Sequence, residues 1–171
     1  MAPGFLVLAV EPHADDANVE KIRPLVEQIR AGADPRNRED SLQVHYVTGV
    51  LALAEGDLPA ALAAFDRAEG FIRPATMEYR RALAYQQLGQ LDVARRLLAA
   101  VAATPEFGTE EEDVWIRSLV EIGLVEERLG RYDDAIASYR RFLEHWKDAD
   151  PGLPDIVLIR SRLNALLARH R

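Results

Sequence analysis

One pattern of small and apolar residues recurs three times along the chain. It starts at a glycine and has Leu or Tyr two positions after that glycine. Alanine follows at the fifth position after the glycine, a large apolar residue at the ninth and another apolar residue at the twelfth. Side chains three and four residues apart share one face of an α-helix, so the pattern predicts a buried helical face. The copies are Gly56, Leu58, Ala61, Phe65 and Ala68; Gly89, Leu91, Ala94, Leu98 and Val101; and Gly130, Tyr132, Ala135, Tyr139 and Phe142.

Each copy predicts two helices joined at its glycine. Glycine can end the first helix because a left-handed backbone conformation costs it little. Another small residue lies seven positions before each glycine, at Gly49, Ala82 and Gly123. We expect this residue to lie where the two helices cross closely, and the large residue nine positions after the glycine to fill the gap between neighbouring hairpins.

Helix-capping residues and proline positions refine the predicted boundaries. Asp57 is expected to cap one helix, and Thr109 with Glu112 forms a capping box for another. Pro74, Pro105 and Pro151 are expected to stop the helices before them, whereas Pro24 lies near the start or at a kink of the first helix. The predicted helices span residues 18–31, 40–55, 58–71, 75–88, 91–103, 110–129, 132–146 and 154–168, with a loop at 32–38.

These in-register copies resemble the tetratricopeptide repeat over roughly residues 42–147. The resemblance implies an all-α, right-handed superhelix of three helix-turn-helix repeats, with an N-terminal helix and a C-terminal capping helix. Glu126 departs from the family, which usually has an apolar or aromatic residue there, and Val101 and Phe142 replace the small residue seen as Ala68. These departures predict looser packing or a shifted first helix in the third repeat. The expected segments are 1–39 at the N-terminus, repeats at about 42–75, 75–108 and 109–149 within 40–149, and the cap at 150–171.

The resemblance further implies a concave groove, lined by the first helix of each pair, that binds a peptide or a partner's helix. Tyr46 and Tyr79 are suitable anchors, because aromatic residues often dominate binding energy; alternatively, they fill space between hairpins. The places of the carboxylate clamp of co-chaperone members hold Tyr46, Val50 and Arg80, so the clamp is missing. The predicted groove residues are Gln43, Tyr46, Val50, Leu53, Tyr79, Leu83, Gln86, Arg117, Val120, Leu124 and Glu127.

Composition narrows the classes of partner. The formal net charge of -7 disfavours nucleic acid, which needs a basic surface. The chain has no cysteine, which excludes disulfides and fits a cytoplasmic protein, and no apolar run is long enough for membrane insertion. The segment 139–167 also looks like the end of repeat arrays in bacterial signalling proteins, which implies that the chain is the C-terminal part of a longer protein.

The opening segment offers the strongest candidate for catalysis. Residues 5–10 could form a strand, and Pro12-His13-Ala14-Asp15-Asp16 follows, which resembles the metal motif of zinc-dependent N-deacetylases. That resemblance makes His13 and Asp16 metal ligands and Asp15 a general base. Ala14 replaces the second proline of the motif, and the glycine-rich turn that should follow is absent.

The sequence therefore favours a non-catalytic scaffold without cofactor or metal, which binds a protein or peptide. A self-association module that forms a homodimer, through residues 5–10 or an imperfectly capped end, is the main alternative. The metal-dependent deacetylase-like enzyme is the weakest alternative, and the conformation of residues 1–17 is left open.

Overall fold

The computed structural model describes residue 10 and residues 18–104 and 112–169. Within these ranges every regular element is an α-helix, which confirms the predicted all-α class. The helices are α1 (Val19–Gly32), α2 (Arg38–Glu55), α3 (Leu58–Arg67), α4 (Pro74–Gln87), α5 (Leu91–Ala102), α6 (Glu112–Arg128), α7 (Tyr132–His145) and α8 (Pro154–Arg169).

Turn glycines and a side-chain cap delimit the helices as the sequence predicts. Gly56, Gly89 and Gly130 have φ angles of 80°, 76° and 72°, the left-handed region that glycine adopts most easily. The Asp57 carboxylate accepts a hydrogen bond from the Ala60 backbone N–H at 3.2 Å, so it caps α3. Thr109 of the predicted capping box lies outside the described residues.

The end of α3 differs most from its predicted position. The helix ends at Arg67 rather than at residue 71, and Gly70, with φ 84°, turns the chain shortly afterwards. Pro74 was expected to stop this helix, but it is instead the first residue of α4. A proline is favourable there because the first helical residue has no hydrogen-bond acceptor for its N–H within the helix.

The chain forms two compact units, Met1–Leu88 and Gly89–Arg171. In the first unit, α2 packs against α1 and α3, and α3 packs against α4. Its core surrounds Tyr46 and Phe65 and includes Ile22 from α1. Val10, from the opening segment, is helical and fully buried in the same core.

In the second unit, α6 packs against α5 and α7, and α7 packs against α8. Trp115 and Tyr139 are the largest fully buried side chains of this unit. The apolar residues Ile156, Ile159, Leu163 and Leu167 are three or four positions apart, which favours a common face of α8. The structure buries Ile156, Ile159 and Leu166 and leaves Leu163 and Leu167 half-buried.

The boundary between the units falls at residues 88 and 89, between the two helices of the second predicted repeat. Each unit contains one predicted hairpin in full, α2 with α3 in the first and α6 with α7 in the second. The division into repeats at about 42–75, 75–108 and 109–149 stays a prediction.

Candidate partner-binding surface

The predicted groove residues of α2 belong to the core of the first unit. Gln43, Tyr46, Val50 and Leu53 are all at most 7% exposed. The Tyr46 ring is fully buried, and its centroid lies 6.2 Å from that of Phe65 and 5.8 Å from that of Phe71. A side chain enclosed on all sides offers no surface to a partner, so this placement supports the space-filling interpretation of Tyr46.

The predicted residues of α4 divide by exposure. Tyr79 is 5% exposed, and the Arg80 guanidinium carbon lies 5.8 Å from its ring centroid, within the range of a cation–π contact. Leu83 and Gln86, one and two turns further along, are half-buried. These two residues present side-chain surface on the first unit, while Tyr79 is mainly a packing residue.

The second unit presents a mixed-charge surface along α6. Val120 is buried, but Arg117 and Leu124 are half-buried. They share a helix face with Asp113, Glu121 and Arg128, because these positions are three or four residues apart. The Arg117 Nε lies 3.5 Å from a carboxylate oxygen of Asp113. We call Asp113, Arg117, Glu121, Leu124 and Arg128 the α6 stripe.

Glu127, also predicted for the groove, is engaged within the unit. Its carboxylate accepts hydrogen bonds from the Tyr139 hydroxyl at 2.6 Å and from Arg162 Nη1 at 3.3 Å. Burial raises the pKa of the Tyr139 hydroxyl, and the hydrogen bond to Glu127 raises it further. Glu127 therefore joins α6 to α7 and α8, and little of its carboxylate is left for a partner.

The departure at Glu126 has a structural explanation that the sequence did not provide. Glu126 is 2% exposed, and its carboxylate accepts hydrogen bonds from Arg95 Nε at 2.9 Å and Ser138 Oγ at 2.7 Å. Arg95 Nη2 also lies 2.8 Å from Glu126 Oε1. A buried charge is tolerated when it is paired and hydrogen-bonded. The expectation of looser packing is thus corrected at this position, because the carboxylate connects α5, α6 and α7.

A cluster of carboxylates surrounds Arg81 in the first unit. Its guanidinium contacts Glu69 at 2.6 Å, Glu78 at 2.8 Å and Asp66 at 3.1 Å. Burial acts to lower the pKa of Arg81, but the hydrogen bonds to Glu69 and Glu78 outweigh it, so the pKa rises above its usual value. This network joins the end of α3 to α4.

A cavity of about 380 Å³ opens beside the N-terminus of α2 in the first unit. Nothing in the sequence pattern indicated it, because its walls come from two segments far apart in the chain. The Asn37 side chain accepts a hydrogen bond from the Glu39 N–H at 2.9 Å and thereby caps α2. The lining residues are Asn37, Arg38, Glu39, Leu42, Gly70 and Phe71.

The deacetylase-like candidates His13, Asp15 and Asp16 lie outside the described residues. Among the residues that are described, no group of three or more His, Asp or Glu side chains is placed to hold a metal ion. No described helix combines the length and the apolar character needed to cross a membrane.

A family model described as tetratricopeptide repeat matches residues 27–75 and 117–169, which together make up more than half of the chain. The first matched region lies in the first compact unit and the second in the second unit. No curated protein and no solved structure matched the chain.

Proposed function

The chain belongs to the tetratricopeptide-repeat family, and from this premise we propose that it is a non-catalytic scaffold that binds a peptide or helix of a protein partner. Repeats of this family generally mediate contacts between proteins and are typically not catalytic. The observation that carries the proposal is the family match over both units. The bacterial signalling context, the cytoplasmic location and the exclusion of nucleic acid stay predictions.

The α6 stripe is the surface that we propose for the second unit. Arginine and glutamate side chains of the stripe flank Leu124. A partner can therefore bury an apolar side chain against Leu124 and place charges of opposite sign beside the arginine and glutamate side chains. Arginine is among the residues that most often carry binding energy. Residues buried behind the stripe, such as Trp115 and Leu119, hold α6 in place, which limits the ordering cost of binding.

For the first unit, we propose that Leu83 and Gln86 form the partner-binding surface. Both are half-buried on α4, so they combine a fixed backbone with surface that a partner can reach. Arg81, on the same helix, contacts the carboxylates of Glu69 and Glu78. An extended or helical peptide that places an apolar residue on Leu83 would fit this surface.

A peptide-display selection on the purified chain tests the proposal. Enriched peptides are synthesised, and their dissociation constants are measured by fluorescence anisotropy for the wild type and three variants. Arg117→Ala with Leu124→Ala removes the centre of the α6 stripe, and Leu83→Ala with Gln86→Ala removes the α4 surface. Arg140→Ala, an exposed arginine on α7, is the matched control.

We expect one of the double variants to weaken binding about tenfold or more, since loss of one central contact costs more than about 1.4 kcal/mol. The control should bind like the wild type. If every enriched peptide binds both double variants as tightly as the wild type, neither surface is the binding site. Circular dichroism must show that the variants keep their helical content.

A further inference from the structure

The outward face of the last helix, α8, carries no charge along its whole length. The face is opposite to the buried Ile156, Ile159 and Leu166, and all six of its residues are exposed. Val157 is 53% and Leu158 is 42% exposed, the highest values among the large apolar residues of the described helices. We call this set the α8 face: Pro154, Val157, Leu158, Ser161, Ala165 and Ala168.

Such a face is unusual on the exposed side of a helix. The side of a surface helix that faces away from the core normally carries charged or polar residues. Ser161, Ala165 and Ala168 are small, so another helix can approach the α8 backbone closely, and Val157 and Leu158 supply the apolar surface to be buried. The combination suits the packing of a second helix along α8.

The charges beside the α8 face indicate which helix fits. Asp155 lies in the first turn and Arg169 in the last turn, and both are exposed on the same flank of the helix. Within the part of the chain that the structure describes, neither side chain forms an ion pair. In an antiparallel pair of α8 helices related by a two-fold axis at Ser161, Asp155 of each copy comes close to Arg169 of the other.

We propose that two copies of this chain associate through the α8 face, with α8 antiparallel to its symmetry mate. Antiparallel packing also opposes the two helix dipoles and pairs Val157 with Ala165 of the other copy. Arg160 on the other flank, and Arg162 between Asp155 and Arg169, each come near the same residue of the symmetry mate, and these like-charge approaches weaken the association. The charge of Arg162 is partly balanced by Glu127 of its own chain, 3.3 Å away. A contact made by one helix of 16 residues, about 24 Å long, is small, so the dissociation constant is expected at about 10–100 µM.

A single cysteine provides the sharpest test, because the natural chain has none. Ser161→Cys places a thiol on the proposed two-fold axis, where two copies can form a disulfide if their Cα atoms approach within about 7 Å. Ala137→Cys, at an exposed position of α7, is the control. Under mild oxidation at about 100 µM, we expect the Ser161→Cys chain to yield a covalent dimer of twice 19.1 kDa much faster than the control.

Charge reversal separates this arrangement from other modes of association. Sedimentation equilibrium should show a reversible dimer for the wild type and for Arg160→Ala, and weaker association for Asp155→Arg, Arg169→Asp and Val157→Lys. The double variant Asp155→Arg with Arg169→Asp should regain the dimer, because the pairs re-form with exchanged signs. Each variant must keep the helical content of the wild type.

Two results would overturn the proposal: a wild-type chain that stays at 19.1 kDa up to about 100 µM, or a dimer that Val157→Lys leaves intact. The α8 face shares no residue with the α6 stripe or with Leu83 and Gln86. If no dimer forms, the proposed binding function is therefore unaffected. If the peptides do not bind at the proposed surfaces, the proposed dimer is likewise unaffected.

Discussion

The aromatic ring of Phe65 packs so closely against Gly49 that a β-carbon on that glycine would stand 2.6 Å from two ring atoms. Gly49 is on α2 and Phe65 on α3, and the two residues are 16 positions apart. Gly123 and Tyr139 are also 16 positions apart in the second unit, and a β-carbon on Gly123 would likewise stand too close to the tyrosine ring. Each unit thus contains one close helix crossing built from a glycine and an aromatic ring.

We predict that Gly49→Ala destabilises the protein although alanine favours helices. The new methyl group would force the Phe65 ring or the backbone to move, which costs about 1–3 kcal/mol in the free energy of unfolding. The helical preference of alanine offsets at most about 1 kcal/mol of this. Urea denaturation followed by circular dichroism measures the difference.

Gly32→Ala is the control for that substitution. Gly32 is the last residue of α1, and a β-carbon there would meet no atom within 4 Å. We expect no loss of stability, or a gain of about 0.5 kcal/mol from the lower entropy of the unfolded chain. Equal effects of the two substitutions would show that the crossing at Gly49 tolerates an extra methyl group.

The buried ion pair between Arg95 and Glu126 predicts unequal effects of its two partners. Arg95→Met leaves the buried Glu126 carboxylate without its cation and should cost about 3–5 kcal/mol in unfolding free energy. Glu126→Leu leaves Arg95, which is 30% exposed and can turn to water, so the cost should be only about 1–2 kcal/mol.

The double variant Arg95→Met with Glu126→Leu completes the cycle. Because an apolar contact replaces the ion pair, its stability should lie closer to the wild type than that of Arg95→Met alone. Chemical denaturation of all four proteins measures the coupling. Additive losses in the double variant would mean that the two side chains do not depend on each other.

Tyr139→Phe is predicted to change both the stability and its dependence on pH. The hydroxyl donates a 2.6 Å hydrogen bond to Glu127, and its loss should cost about 1.5–3 kcal/mol near neutral pH. Since the folded state raises the pKa of Tyr139 above its ordinary value of 10.0, the stabilisation is complete below pH 10 and declines as the unfolded chain ionises above it.

The difference in unfolding free energy between the wild type and Tyr139→Phe should accordingly shrink by about 1 kcal/mol between pH 10 and about pH 11. Tyr85→Phe is the control, because the Tyr85 hydroxyl forms no hydrogen bond within the described ranges. A constant difference across this pH range would argue against a protonated, hydrogen-bonded Tyr139 in the folded state.

Arg81→Ala should destabilise the first unit by about 2 kcal/mol. The substitution removes three carboxylate contacts from a side chain that is only 16% exposed and leaves Asp66, Glu69 and Glu78 to repel one another. Added salt should reduce the loss, because it screens that repulsion. Thermal denaturation at low and high salt measures both effects.

Lys147→Ala is a suitable comparison for Arg81→Ala. Lys147 contacts Glu144 at 3.2 Å, but both side chains are more than 60% exposed. Exposed pairs contribute little, so its loss should change the unfolding free energy by less than about 0.5 kcal/mol. If Arg81→Ala and Lys147→Ala lower the unfolding free energy by comparable amounts, burial does not strengthen the Arg81 network.

The sequence by itself determined the helices of this protein and two of its hairpins, α2 with α3 and α6 with α7. Spacing of small and apolar residues located Gly56, Gly89 and Gly130 at the turns and predicted the close crossing at Gly49. These features are local, because a helix face and a glycine turn depend on residues within about one or two helical turns of each other.

Only the tertiary structure decided which side chains on a helix are covered and by what. Periodicity placed Tyr46 on a face that could line a groove, yet Tyr46 is fully buried, and rings from α3 and from the turn after it contact it. Glu126 broke the expected apolar pattern, and its partner Arg95 is 31 residues away on α5. Pairings over such distances depend on how separate helices pack, which the spacing of residues within one helix does not specify.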